Sequence, residues 1–195
     1  MKHLKQSYMA KKIYFNSKVP IKRNRPANIR FLFLLLLGVF GAFLIRHFAI
    51  DIIQVTSPSM QPTINVGCRY YMEKITYRIR KPRRKDIVAF PSPFLKDHNL
   101  VKRVIAVEGE TLEIKNKDVY INNAKLVEDY VFHSRDTVIL EGDNLRPLVV
   151  PKGMIFVMGD NRDESEDSRD WKDINSGEHI YFIPVSRILG KIILF

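Results

Sequence analysis

An uncharged apolar run near the start of the chain constrains the fold most. Residues 31–45 read FLFLLLLGVFGAFLI and contain no charged or strongly polar side chain. Fifteen helical residues span only about 22 Å, less than the hydrocarbon core of about 30 Å. The helix becomes long enough if it includes Ile29 and Phe48–Ile50, with Arg30 and Arg46 snorkelling to the two interfaces. The sequence therefore predicts a single transmembrane helix over about residues 30–50.

A buried core helix and a cleaved signal peptide both agree less well with the flanks of this run. A buried core helix does not account for apolarity on every side combined with basic residues at both ends. A cleaved signal peptide needs a short charged region and a small-x-small site after the apolar stretch. Here a basic leader of about thirty residues precedes the run, and Arg46-His47-Phe48 follows it.

The net charge of +11 is concentrated in the leader. Residues 1–50 contain ten Lys or Arg and no Asp or Glu, which leaves 22 basic and 21 acidic residues in 51–195. Because the body is nearly neutral, the composition does not predict a nucleic-acid partner. By the positive-inside rule, the leader (residues 1–29) stays in the cytoplasm, where it can bind anionic lipid, and residues 51–195 lie outside.

Neither a disulfide nor a metal site is predicted. Cys68 is the only cysteine, and one thiol cannot make a zinc site alone. The acidic stretch 159–170 fails the EF-hand pattern, because the sixth position, which needs glycine, is Ser165. Arg162 and Arg169 interleave with the acids, which favours internal ion pairs.

Beyond residue 50 the sequence changes to short β-type runs bounded by turn residues. The candidate strands are residues 51–56, 69–74, 86–90, 100–107, 111–114, 119–121, 154–158 and 187–195. Asn122-Asn123 suits a tight turn with positive φ. We expect a mainly β protein, with one N-terminal transmembrane helix followed by an all-β sandwich or open barrel. Residues 109–152 are more polar and predict a small inserted β lobe.

Two residues become candidates for chemistry when they are considered together. Ser59 lies in a stiff turn between Pro58 and Pro62, although an ordinary surface loop would have the same composition. Lys102 lies within an apolar strand, on a face that borders either solvent or a groove. In a groove, burial would lower its pKa from about 10.4, and a neutral lysine can take a proton from a serine hydroxyl.

Four motifs, in this order after one membrane span, resemble type I signal peptidases. They are SM-x-PT at Ser59–Thr63, D-x-V-x-F at Asp86–Phe90, KRVI at Lys102–Ile105 and GDNRD-x-S-x-DSR at Gly159–Arg169. The resemblance covers about residues 31–195. It implies a signal-peptidase-like all-β catalytic core with an inserted β lobe. It also implies a serine endopeptidase that cleaves N-terminal signal peptides from exported preproteins, without a cofactor or metal.

The resemblance assigns roles by position. Ser59 matches the nucleophile, Lys102 the general base, and Ser165 the serine that orients the lysine. Ser57 matches a hydroxyl that, in some members, holds the oxyanion together with the amide of the nucleophile.

Further positions match supporting and substrate-binding residues. Asp167 and Arg169 correspond to a salt bridge beneath the site. The family prefers small residues one and three positions before the cut. The pocket walls by position are Val55, Met60, Ile64 and Leu100.

The sequence departs from the family pattern at three places. Pro58 stands where many members have Gly, which stiffens the turn before the nucleophile. Glu164 stands where Asn is usual, and residues 172–181 lengthen the loop after Trp171. None of these changes removes a group that matches a catalytic residue.

The position of Ser59 relative to the span predicts a location. Ser59 lies nine residues beyond Ile50, a reach of at most about 30 Å at about 3.3 Å per residue. The resemblance thus implies a single-pass protein of the cell (inner or cytoplasmic) membrane, with its nucleophile near the outer surface, where signal peptides end. An extended substrate would add a strand against residues near 53–57 and 99–102.

Three further functions remain open from the sequence alone. A Ser-His-Asp hydrolase could use His98, His133 or His179, although no G-x-S-x-G motif is present. A tethered binding module would give Ser59 no chemical role. A self-cleaving repressor uses a similar Ser-Lys pair but would carry a DNA-binding domain in place of the span.

Overall fold

The computed structural model describes residues 27–95 and 98–194. The described chain divides into two units, with the boundary between Phe40 and Gly41. Helix α1 covers Ala27–Phe48, and residues 28–48 are long and apolar enough to cross a membrane by length and composition. The predicted helix is confirmed, although its end is earlier than expected because a strand already begins at Ile50. The prediction for the leader, up to residue 26, lies outside the described residues.

The rest of the described chain is mainly β, as predicted. In chain order the elements are β1 (Ile50–Gln54), β2 (Arg69–Glu73), α2 (Thr76–Ile79), β3 (Ile87–Pro91), β4 (Asn99–Val107), β5 (Thr111–Lys115), β6 (Asp118–Ile121), β7 (Ala124–Lys125), β8 (Leu145–Val149), β9 (Met154–Met158), β10 (Ile183–Pro184) and β11 (Gly190–Ile193).

These strands form two antiparallel sheets. The larger sheet has the order β1-β2-β11-β3-β4-β9-β10, and the smaller has the order β7-β6-β5-β8. The smaller sheet comes from residues 111–149, between the neighbouring strands β4 and β9, and falls within the lobe predicted at 109–152. Its buried face, which includes Leu112 and Val119, shares a core cluster with Ile105 and Phe156 of the larger sheet.

Sequence patterns predicted the longer strands and missed the short or irregular ones. Strand β8 contains Pro147, which cannot donate a ladder hydrogen bond and weakens the strand signal. The strand expected from residue 187 begins only at Gly190, because Val185–Arg187 form a 3₁₀ turn. Asn122 and Asn123 do have positive φ, at 50° and 66°, as their turn requires.

Strand β4 has one partly free edge. It pairs with β3 from Asn99 to Arg103, but its pairing with β9 begins only at Arg103. Residues 99–102 therefore have a strand neighbour on one side and an open edge on the other.

Candidate active site

A cleft of about 420 Å³ runs along the open edge of β4. One wall is formed by residues 54–57 with Ser59 and Met60, and the other by residues 94–95 and 98–102. Glu164, Glu166 and Trp171 complete the lining. Ser59 and Lys102, which are far apart in sequence, thus border the same cleft.

The turn that carries Ser59 is held at both ends. Pro58–Met60 form a single 3₁₀ turn, and the Ser57 hydroxyl oxygen caps it by accepting from the Ser59 amide at 3.3 Å. The Ser59 carbonyl accepts from the Asn161 amide at 3.1 Å. The turn is therefore anchored to the loop that follows β9, and the Ser59 backbone has a fixed position at the cleft.

Lys102 is buried in the cleft wall, with only 3% of its surface exposed. Burial lowers the pKa of its amine to about 8, although the Asp167 carboxylate acts in the opposite direction. The Nζ atom donates to the Ser165 hydroxyl oxygen at 2.8 Å. A substantial fraction of this amine is therefore neutral at mildly alkaline pH and able to accept a proton.

The hydroxyl of Ser165 links Lys102 to a buried ion pair. Ser165 donates to Asp167 Oδ2 at 2.8 Å, so its oxygen can only accept from the Lys102 amine. Asp167 also accepts from Arg169 Nε at 2.9 Å. Burial would raise the pKa of the Asp167 carboxyl, but Arg169 outweighs it and the pKa lies below its ordinary value. One N–H of the Lys102 amine is thus fixed toward Ser165. The remaining positions around the nitrogen are available to groups in the cleft.

Gly159 allows Ser59 and Ser165 to approach each other. A Cβ at this position would lie 2.4 Å from the Ser59 carbonyl oxygen and 2.3 Å from the Ser165 Oγ. Real Cβ contacts are essentially never this short. The Ser59 carbonyl oxygen belongs to the backbone, so it cannot move away as easily as the end of a flexible side chain. Glycine is required at position 159 because the Ser59 carbonyl oxygen and the Ser165 hydroxyl lie too close to it for any side chain.

We expect Gly159→Ala to destabilise the fold by about 1–3 kcal/mol through overpacking and to lower the activity of the site per folded molecule. Gly109→Ala is the matched control, because Gly109 has positive φ but open space around it. It should lose about 1–2 kcal/mol through backbone strain alone and keep its activity. Thermal unfolding and turnover of the folded fraction measure the two effects. Equal activity of the two variants would contradict this role of Gly159.

Comparison with known proteins identifies the family. Residues 28–195 match the family described as signal peptidase, peptidase S26. The chain belongs to this family. A probable signal peptidase I-1 from Synechocystis is 34% identical over 187 residues, which cover 90% of this chain and 84% of that protein. Signal peptidase I from Bacillus amyloliquefaciens is 41% identical over 139 residues, which cover 69% of this chain and 72% of that protein.

A crystal structure of a signal peptidase I from Enterococcus faecalis is also similar in sequence, at 34% identity. The match covers 59% of this chain and 99% of that chain, with a TM-score of 0.45. Membership of the S26 family makes the protein a serine peptidase.

In this S26 peptidase the predicted serine and lysine face one cleft without a direct hydrogen bond. Within residues 27–95 and 98–194, no hydrogen bond joins the Ser59 hydroxyl to the Lys102 amine, which donates to Ser165 instead. In this structure the Ser59 hydroxyl and the Lys102 amine are therefore not hydrogen-bonded to each other. Catalytic hydrogen bonds often form only when substrate is bound, and both side chains already border the same cleft.

Three of the four predicted pocket-wall residues of the peptidase line the cleft, namely Val55, Met60 and Leu100. Ile64, the fourth, does not line the cleft. Its amide donates to the Met60 carbonyl at 2.8 Å, and this turn folds the fully buried side chain into the core with Met72 and Ile192.

The inserted lobe of the peptidase supports the site through buried charges that the sequence did not reveal. Arg169 Nη1 lies 3.4 Å from Asp143 Oδ1, and Asp143 is 1% exposed. At the tip of the β5–β6 hairpin, Lys117 Nζ lies 3.2 Å from Asp163 Oδ1. The partners are 26 and 46 residues apart, so no local pattern could have linked them.

A second charged network fixes the residue after Lys102. Arg103 donates to both carboxylate oxygens of Asp160, at 2.7 Å and 2.5 Å, and lies 3.8 Å from the centroid of the Tyr130 ring. The predicted ion pairing of Arg162 is also found, but its partner is Glu128, outside the acidic stretch. These bonds hold segment 128–130 against β4 and the loop that follows β9.

The three histidines of the peptidase that could form a Ser-His-Asp site are in different places. His98 lines the cleft. His133 lies 3.6 Å from Asp163, and His179 stacks on Tyr181 with ring centroids 4.8 Å apart. Only His98 is therefore placed to compete with Lys102 as a base for Ser59.

Proposed function

We propose that the protein is a membrane-anchored endopeptidase that removes signal peptides from exported preproteins, with Ser59 as nucleophile and neutral Lys102 as general base. The observation that carries the proposal is the buried Lys102 amine, oriented by Ser165 in the cleft that Ser59 also lines. Family membership supports the same reaction, since S26 relatives are signal peptidases.

The reaction is acyl transfer to a serine. Neutral Lys102 removes the proton of the Ser59 hydroxyl as its oxygen attacks the scissile carbonyl, and an acyl-enzyme forms. The lysine then protonates the leaving amine and later removes a proton from the water that hydrolyses the ester. The Ser165 bond to Asp167 supports this cycle, because it keeps the Ser165 oxygen available as acceptor in both charge states of the amine.

Substrate binding brings the serine hydroxyl to the amine. In the free protein, Lys102 Nζ has Ser165 as its hydrogen-bond partner, and Ser59 is only 6% exposed. A peptide in the cleft excludes water and restricts the rotamers of the Ser59 side chain. The hydrogen bond between Ser59 and Lys102 then forms once the substrate is bound.

The oxyanion is held by the Ser59 amide and the Ser57 hydroxyl. The two groups already lie together, since the Ser59 amide donates to Ser57 Oγ at 3.3 Å. This bond is longer than the usual range for N–H donors, so a developing oxyanion competes favourably for the amide. The hydroxyl hydrogen of Ser57 remains available as the second donor.

The substrate is an extended chain with small residues one and three positions before the cut. The open edge of β4 at residues 99–102 offers backbone groups for strand addition. The adjacent floor of Val55, Met60 and Leu100 is apolar, which supports binding of small apolar side chains at alternate positions of the substrate.

The site works at the outer surface of the cell membrane. The apolar helix α1 supports anchoring, and the acid-free basic leader supports a cytoplasmic N-terminus with residues 51–195 outside. Only eight residues separate Ile50 from Ser59, which keeps the nucleophile near the bilayer.

Incubating the detergent-solubilised full chain with a preprotein tests this function. We expect cleavage directly after a small residue, identified by sequencing the new N-terminus, and no product with Ser59→Ala. Full cleavage by Ser59→Ala would reject the nucleophile, and absence of cleavage by the wild type would favour a tethered binding module.

A further inference from the structure

Two glutamates border the catalytic cleft but differ in how they are paired. Glu164 and Glu166 both line the cleft and are both exposed. Glu164 Oε1 lies 2.8 Å from Arg135 Nη2, so its charge is partly neutralised. Glu166 has no hydrogen bond or ion pair with any residue in the part of the chain that the structure describes. Its carboxylate therefore presents to the cleft a negative charge that no direct contact neutralises, and that acts on the Lys102 amine only at longer range.

The position of Glu166 in the chain holds this charge next to the reacting groups. Its neighbours Ser165 and Asp167 are buried and bonded to each other at 2.8 Å, and Ser165 also contacts Lys102. Because both neighbours are fixed and inward, the Glu166 side chain is directed outward beside the base. A substrate group that meets this carboxylate must therefore lie close to the scissile bond.

The side chains of an extended peptide point alternately to its two sides, and this decides which substrate side chains can meet Glu166. If the first and third residues before the cut face the cleft floor, the second residue before the cut and the first residue after it face the open side. The floor residues Val55 and Met60 are buried, whereas Glu166 is exposed on the rim. The open-side residues of the substrate are the ones that reach the rim.

We propose that Glu166 is a specificity-determining residue that favours substrates with Lys or Arg at the second position before the cut or the first position after it. The inference rests on the proposed peptidase function and adds to it a charge preference on the open side of the substrate. An acidic residue at either position is disfavoured for the same reason. Such a preference is independent of the requirement for small residues on the floor.

The expected size of the preference for a basic residue follows from the exposure of the ion pair between Glu166 and the substrate side chain. Exposed ion pairs change equilibria by small factors, so we expect Lys to be preferred over Ala by about three-fold in kcat/KM at low ionic strength. The preference should decline as salt is raised, because the Debye length falls to about 8 Å at physiological ionic strength.

Two series of synthetic peptides test the proposal with the full chain in detergent. Each series has alanine at the first and third positions before the cut and carries Lys, Ala or Asp at one of the two open-side positions. The ratio of kcat/KM for Lys and Asp peptides should exceed one in the wild type, approach one in Glu166→Gln and fall below one in Glu166→Lys. The matched control is Glu164→Gln, whose ratio should stay as in the wild type, because Glu164 is already paired with Arg135.

The outcomes separate this inference from the proposed function. Equal rates for Lys, Ala and Asp peptides in an active wild-type enzyme would overturn the role of Glu166 and leave the peptidase assignment intact. An equal loss of preference in Glu164→Gln and Glu166→Gln would overturn the assignment to one residue. If no peptide is cleaved, the proposed function itself fails and the inference falls with it.

Discussion

Lys102→Met is expected to abolish cleavage while making the folded protein more stable at neutral pH. Methionine has a similar length but no basic nitrogen, so the Ser59 hydroxyl loses its proton acceptor. Loss of a general base typically costs about 10²–10⁴ in rate, and more where the nucleophile depends on it completely. Turnover should therefore fall below detection with the preprotein at any pH between 6 and 10.

The gain in stability comes from the buried charge of the wild type. The pKa of Lys102 is lowered to about 8 by burial, whereas in the unfolded chain it is about 10.4. Below pH 8 the folded wild type must therefore bury a charged amine, at a cost of about 3 kcal/mol. The lost bond to Ser165 offsets about 1 kcal/mol of the gain in the variant. The midpoint of unfolding at pH 6 should rise by several degrees.

The sign of the pH dependence is fixed by proton binding. Between pH 8 and about 10.4 the unfolded wild type binds more protons at this site than the folded state, so wild-type stability rises with pH through this window. The advantage of Lys102→Met should shrink over the same window. In the wild type, kcat/KM should rise with pH and level off above about 8, because the neutral amine is the active form.

His98→Ala is the control for Lys102→Met, because His98 lines the same cleft. We expect this variant to retain cleavage and an unchanged pH profile. Equal loss of activity in both variants would favour a histidine-based hydrolase, and full activity of Lys102→Met would remove the lysine from the mechanism.

Ser57→Ala should lower kcat by about 10²–10³ with little change in KM. Loss of one oxyanion donor costs about 2.7–4 kcal/mol in the barrier, and the donor acts only when charge develops on the carbonyl oxygen. The Ser57 hydroxyl also caps the turn of Ser59, so a modest loss of stability should accompany the change.

Ser57→Thr separates the oxyanion role from the cap. Threonine keeps a hydroxyl that can both cap the turn and donate, and we expect it to recover most of kcat. Steady-state kinetics with saturating peptide, together with thermal unfolding of both variants, gives the comparison. A Ser57→Ala enzyme with normal kcat but lower stability would show that Ser57 is only a cap.

The sequence by itself determined the features that depend on local pattern. The apolar run and its basic flanks predict α1, alternation and turn residues predict the longer strands, and the ordered motifs predict the family. The resemblance also pairs Asp167 with Arg169, and this pair is local, since the two residues are two positions apart on one loop.

Only the tertiary structure decided which distant groups share one site. Burial of Lys102, rather than its position in a strand, lowers its pKa, and burial depends on how β3, β4 and the loop after β9 pack. The contact of Asp143 with Arg169 and the inward turn of Ile64 likewise depend on packing. Chain folding alone brings such residues together, because side-chain contacts over tens of residues leave no periodic signal in the sequence.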